Sequence, residues 1–392
     1  MQNKSSMLLL ILSIAVFGVI TTEIAVIGLL PQLEAQLNVT PTQVGFLVSI
    51  YAIVVAITGP FITLMLSGYN KKYVLLTILL IFIISNLIYA ITDTFYLMLI
   101  FRIFPGLVHA VFFAVALVVA TNSVPEEKSA SANAKVFAGV AVGMVLGMPM
   151  SSFIAENLSL SAAFYFGAIT CTLAFIGILV FMPSIPATKN VTFTEQLNVL
   201  RKGKLWLSIA TVTLIFSAIF SSFSYIADYL TKITHLDNDL VSAMLILFGF
   251  CGLIGNFVFS RFLQKNILKT TYAYPMLLIF IYIQVWLLGF SPIAMCVLTI
   301  FWGGLHSAGL VVSQTWLMQE ANEAPEFANS LYIAFSNLGI TIGAITGGWF
   351  LSLFGVNTVM LSSILFAFMA LLTVTIKNVT IKNSTHQNKV SC

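Results

Sequence analysis

Ionisable residues are scarce in this chain, so the few that interrupt long apolar runs are where its chemistry has to be sought. Glu23 stands within an otherwise apolar stretch from residue 7 to residue 30. If a helix begins near Met7, Glu23 lies about 24 Å along it, in the far half of a bilayer core. A carboxylate there costs ~2.5–3.5 kcal/mol on insertion scales unless it is paired or protonated. It is suited to loading and releasing a proton and to attracting cationic or hydroxylated solutes. The plainer alternative is a structural group hydrogen-bonded to a neighbouring helix. Arg102 interrupts the run 95–122, also in the outer half. Its guanidinium stays charged and cannot shuttle protons. Either it pairs with Glu23 in one conformation and releases it in another, or it packs against backbone carbonyls. His109, two turns further on, titrates near neutrality and suits a proton relay or a bond to a solute hydroxyl.

Asp228 lies about 34 Å from Leu205, close to the headgroups, and reads first as a solvated acid and second as another proton site. Tyr51, Tyr225, Gln314 and Asn337 are polar groups in the second, seventh, tenth and eleventh apolar runs. Convergence on a cavity would make them solute contacts, and packing between helices is their alternative. Gly139, Gly143 and Gly147 recur every four residues and precede Pro149. That pattern gives a small-residue face for close approach, followed by a kink site, and so a candidate gate.

The elements that hold these residues follow from composition. The 392 residues are 59% hydrophobic and 8% charged. A soluble globule of this size carries about 25% charged residues, so a soluble enzyme, a disordered tail and a nucleic-acid binder are excluded. Twelve apolar runs are each long enough to span a bilayer: 7–30, 42–66, 73–92, 95–122, 131–155, 161–182, 205–230, 239–263, 270–289, 293–320, 327–353 and 357–377. None alternates with period two, so a barrel is not expected. The fold class expected is an all-α membrane protein of twelve transmembrane helices in two pseudo-symmetric six-helix bundles. The bundles are 1–182 and 205–377, with a linker at 183–204 and a tail at 378–392. An amphipathic interfacial helix is expected over 193–202.

Fifteen of the 17 bases fall on one side when the N-terminus is placed in the cytoplasm. Only Lys232 falls outside and Arg102 within a span, so both termini are expected in the cytoplasm. The halves also echo each other at an offset of 200. Pro125 meets Pro325 and Glu126 meets Glu326, while Gly139, Gly143 and Gly147 meet Gly339, Gly343 and Gly347. Parallel repeats of this kind build transporters with a site near the midplane. No metal spacing, Walker loop or nucleophile elbow occurs. An enzyme and ATP-driven transport are therefore not expected, and neither a metal nor a cofactor is called for. The cysteines read as core residues.

Several segments together resemble the major facilitator superfamily, and within it the drug–proton antiporters of the sugar-efflux (arabinose-efflux-permease-like) branch. They are TTEIAVIGLLPQL at 21–33, the stretch 101–153 with RIFPG and GMVLGMP, SYIADYLTKIT at 224–234, GLIGNFVFSRF at 252–262, FWGGL at 301–305, Gln314 and NLGITIGAITGG at 337–348. The resemblance implies the major facilitator fold and a role for Arg102 in proton coupling. It also makes GMVLGMP an antiporter motif. One departure stands out. The family's loop between helices two and three normally carries an acid, a base, a glycine and two more bases. Here it reads SGYNKK, with Ser67, Gly68 and Asn70 in place of the first three, and only Lys71 and Lys72 remain to gate. His306 stands where the family usually has a small residue and reads as core. The resulting expectation is a bacterial inner-membrane efflux antiporter, complete as a monomer, exchanging a drug, sugar or nucleoside for protons. A proton symporter or facilitator and a non-transporting sensor are its rivals.

Overall fold

The computed structural model describes residues 2–39, 41–186 and 197–390, and every regular element among them is helical. In chain order the α-helices are α1 Gln2–Gly28, α2 Leu30–Leu37, α3 Pro41–Leu66, α4 Lys71–Ile91, α5 Phe95–Asn122, α6 Ser129–Val142, α7 Met148–Asn157 and α8 Leu160–Phe181. They continue as α9 Gly203–Phe223, α10 Ile226–Lys232, α11 Asn238–Lys265, α12 Ile267–Leu288, α13 Pro292–Met318, α14 Pro325–Phe354 and α15 Val359–Val390. Starts are set by side-chain caps. Asn70 accepts from the amide of Lys72, Asp237 from Leu240 and Asn266 from Lys269, which satisfies amides that an apolar medium would leave unpaired.

Eleven helices among the described residues are long and apolar enough to cross a membrane. The fifth expected span is the exception, because a π-helical turn, Gly143–Gly147, interrupts it between α6 and α7. Glycines and the adjacent Pro149 tolerate the i→i+5 bonding, and such insertions concentrate at functional sites. The seventh span is not continuous either: α9 ends at Phe223 and α10 resumes at Ile226. Large apolar side chains such as Phe61, Met65 and Ile293 stand 65%, 70% and 82% exposed. Water would penalise them, so lipid is their solvent. Cys171 and Cys251 are buried as expected, whereas Cys296 is exposed.

The chain divides into two units, Met1–Phe193 with Pro325–Ala334, and Thr194–Ala324 with Phe335–Cys392. The boundary at 193/194 lies outside the described residues, and the first ten residues of α14 group with the first unit. In the first unit α1 packs on α6, α7 and α8. In the second α9 packs on α15, and α11 on α13. The repeat at offset 200 extends to packing partners. A Cβ on Gly139 would strike Ser13, and one on Gly147 would strike Thr21; on Gly339 and Gly347 it would strike Thr213 and Ser221. Each glycine face lies directly on its unit's first span, where only hydrogen fits. The expected interfacial helix over 193–202 begins outside the described residues. Its remainder ends in a 3₁₀ turn, Val199–Arg201, with Val199 buried.

Candidate functional site

Three helices of the first unit bring four of the sequence-marked residues together. Arg102, on α5, is 1% exposed. Its Nε donates to the carbonyl of Leu47 at 3.0 Å, its Nη1 to that of Thr22 at 2.9 Å, and its Nη2 to the carbonyl of Glu23. The guanidinium carbon also stands 4.5 Å over the Tyr51 ring. A planar fork of donors matched by three carbonyls and a ring face makes a buried cation tolerable without an acid. Arg102 consequently grips the backbone at Glu23 and stays outside ion-pair distance of its carboxylate.

The carboxylate faces a histidine instead. His109 Nε2 lies 3.8 Å from Glu23 Oε2, within ion-pair range when the imidazole is protonated. His109 Nδ1 and the Tyr51 hydroxyl are 2.7 Å apart. With both Tyr51 and His109 almost wholly buried, the hydroxyl fixes the ring's orientation and couples its tautomer to the Glu23 side. Tyr51 and His109 were expected as solute contacts, with a proton relay also open for His109 and helix packing for Tyr51; the structure brings both to the acid. The Glu23 side chain remains 21% exposed, so the group is reachable while its neighbours are not. Arg102 also lines a cavity with room for about one water, alongside Val26, Leu47, Tyr89 and Met98.

One turn below the acid's backbone clamp sits a polar set that the sequence did not reveal. Asn86 donates to Thr22 Oγ1 at 2.9 Å, and Thr22 donates to the carbonyl of Gly18 at 2.9 Å. This ties α4 to α1 beside Glu23.

A second charged group lies at helix ends. Lys71, 4% exposed, opens α4 and sits 2.7 Å from Glu326 in the first turn of α14, while also donating to the carbonyl of Ser67. Lys72 behaves differently and donates to the carbonyl of Leu179 at 2.8 Å. Glu326 was visible in the sequence only as the repeat partner of Glu126. It is the last of three acids three residues apart, and each has a lysine. Glu320 lies 2.8 Å from Lys377, and Glu323 pairs with Lys202. The Lys202 ammonium hydrogen-bonded to Glu323 holds that carboxyl below the usual carboxylate range.

Similarity to known proteins identifies the family. The model of the Major Facilitator Superfamily matches residues 12–265 and 220–390. The chain belongs to the major facilitator superfamily. It is 30% identical over 367 residues to the "Inner membrane transport protein YdhP" of Escherichia coli K12, covering 93% of this chain and 94% of that one. It is 28% identical over 352 residues to a "Probable sugar efflux transporter" of Helicobacter pylori, covering 88% of each. Among solved structures the Escherichia coli fucose:proton symporter FucP superposes with a TM-score of 0.75 at 13% identity, over 94% of this chain and 98% of that one. That likeness establishes the fold. The protein is thus a multi-pass membrane transporter, not an enzyme.

The remaining expected contacts of this major facilitator protein lie in its second unit. Asp228 pairs with Lys232 at 2.5 Å, with side chains 43% and 58% exposed, which is the geometry of a solvated acid. Tyr225 sits in the break between α9 and α10, where its hydroxyl donates to the carbonyl of Ala344 at 2.8 Å. Gly347 and Gly348 leave room for its ring. Gln314 is buried on α13, and Asn337 is half-buried on α14.

Proposed function

We propose that this transporter exports a small cytoplasmic solute, of the drug, sugar or nucleoside kind, in exchange for protons by alternating access. The observation that carries the reading is the Glu23 carboxylate, open to a ligand or proton, held beside His109 while Arg102 is satisfied by carbonyls. Protonation of Glu23 removes its charge and its attraction for Arg102. The energies of the two access states then change by different amounts, which is what coupling requires. Tyr51 and His109 position and buffer the acid. The Lys71–Glu326 pair supplies a contact that forms in one state and breaks in the other, replacing the acid absent from SGYNKK. The π turn at Gly143–Gly147 gives the face that slides on α1. Both termini in the cytoplasm, residence in a bacterial inner membrane and action as a monomer complete the reading. Similarity to sugar-efflux relatives supports the outward direction.

The test is Glu23→Gln in proteoliposomes. The substitution preserves volume and hydrogen-bonding capacity but cannot carry a proton. Efflux driven by an imposed pH gradient should be lost, while exchange of labelled for unlabelled solute persists because it needs no net proton movement. A lumenal pH dye gives the sign: solute leaving should acidify the lumen in the wild type. Lumenal alkalinisation would replace antiport with symport, and normal pumping by Glu23→Gln would remove the acid from the mechanism.

A further inference from the structure

The second unit contains a buried histidine that the coupling site does not use. His306, on α13, is 5% exposed, and its Nδ1 has no hydrogen-bond partner among the described residues. Its ring sits among Phe220, Phe223 and Phe248, at centroid separations of 5.3, 4.3 and 5.2 Å. Trp302, one turn earlier on α13, closes on Phe248 at 5.5 Å. Aromatic faces therefore surround an imidazole nitrogen that has nothing among the described residues to bond. Nearly all buried polar atoms are partnered, and one that is not calls for a reason.

Two further observations make this more than a packing defect. Thr299 Oγ1, Trp302 Nε1, Ser313 Oγ and Trp316 Nε1 are also buried without partners among the described residues, and Thr299 and Ser313 lie seven residues before and after His306. Steps of seven return to one helix face, so Thr299, His306 and Ser313 share a stripe along α13. Beside that stripe, Phe223 is half-buried and ends α9, where the span is interrupted before α10. Transporters place solute contacts at such interrupted spans.

The geometry points to a solute subsite in the second unit, with His306 bonding a hydroxyl of a hydroxylated ring and the Phe223 and Phe220 faces stacking on that ring. Alternating polar edge and apolar face is the chemistry of a saccharide or of the ribose of a nucleoside. A purely apolar solute would leave Nδ1 unpaired, and a compact cation would find no acid there. The inference rests on the export reading and narrows its solute class to hydroxylated rings.

The test uses full-length protein in which Trp206, Trp286, Trp316 and Trp349 are replaced by Phe, so that Trp302 alone reports. It is titrated with glucose, arabinose, uridine and adenosine. At least one should change Trp302 fluorescence saturably, and the pattern separates saccharide from nucleoside. His306→Phe should weaken that binding by about tenfold or more, with thermal stability kept or raised because an unpaired polar atom has gone. His306→Gln should recover part of the affinity, and the half-buried Phe223→Ala should lower it independently. Wild-type affinity in His306→Phe, or no response of the parent to any of the four, overturns the subsite. Saturable binding without pH-driven efflux of the bound solute would instead overturn the export reading and leave the subsite standing.

Discussion

At the residue scale the decisive fact is how Arg102 spends its donors. A guanidinium shared between acid and carbonyls would be a switch, whereas one matched by three carbonyls and a ring is a clamp that holds Glu23 from behind. Arg102→Lys tests the distinction. A lysine keeps the charge but offers one point of donation to carbonyls that lie in three directions. Each buried group left unpaired costs roughly 1–3 kcal/mol. The variant should therefore lose pH-driven efflux by more than tenfold and melt earlier in detergent. Initial efflux rates and melting temperature are the measurements, and wild-type rates would show the clamp to be dispensable. Glu23 and Arg102 were legible in the sequence because charge inside an apolar run is rare. Their relation was not. Depth along a helix follows from counting residues, but rotation about its axis does not, and rotation decides that His109 rather than Arg102 meets the carboxylate. The pairing of Lys71 with Glu326 was hidden for a related reason, since nothing in local spacing joins residues 255 positions apart.

At the element scale the fifth span shows what a pattern of small residues can and cannot disclose. GxxxGxxxG predicted one close-packed face, and the structure places that face on α1. The π turn was not readable, because glycine spacing is equally compatible with an unbroken helix. It ends at Gly147, which rests directly against Thr21, next to the residues that Arg102 clamps. Gly147→Leu would put a branched side chain where even a methyl group collides. The protein should still insert, since the span stays apolar, but transport should fall by tenfold or more relative to wild type, an effect of roughly 1.4 kcal/mol on a step in the cycle. Quantified membrane protein and efflux from the same vesicles give the readout. Full transport by Gly147→Leu would deny the face a moving role. The break between α9 and α10 escaped the sequence similarly, because SSFSYIADY is apolar enough to read as one span.

At the scale of the whole molecule the repeat and the charge pattern describe the same architecture from different sides. The offset of 200 matches glycine to glycine and also contact to contact, Ser13 with Thr213 and Thr21 with Ser221. The repeated glycine face was therefore accessible to sequence before any contact was known. We propose that the repeats are parallel, so that Lys71 and Lys72 are expected on the same side as Arg261, Lys265 and the linker 183–204. The positive-inside bias predicts that this side is the cytoplasm. A cysteine introduced as Glu195→Cys, in a background with the native cysteines replaced by serine, should then resist an impermeant maleimide in intact cells and react after permeabilisation. Lys232→Cys should do the reverse, because the charge pattern predicts Lys232 on the other side and it stands exposed beside Asp228. Labelling of residue 195 from outside would invert the orientation. Glu23 would then face the cytoplasm rather than the exterior, and protons entering from outside could no longer reach it first.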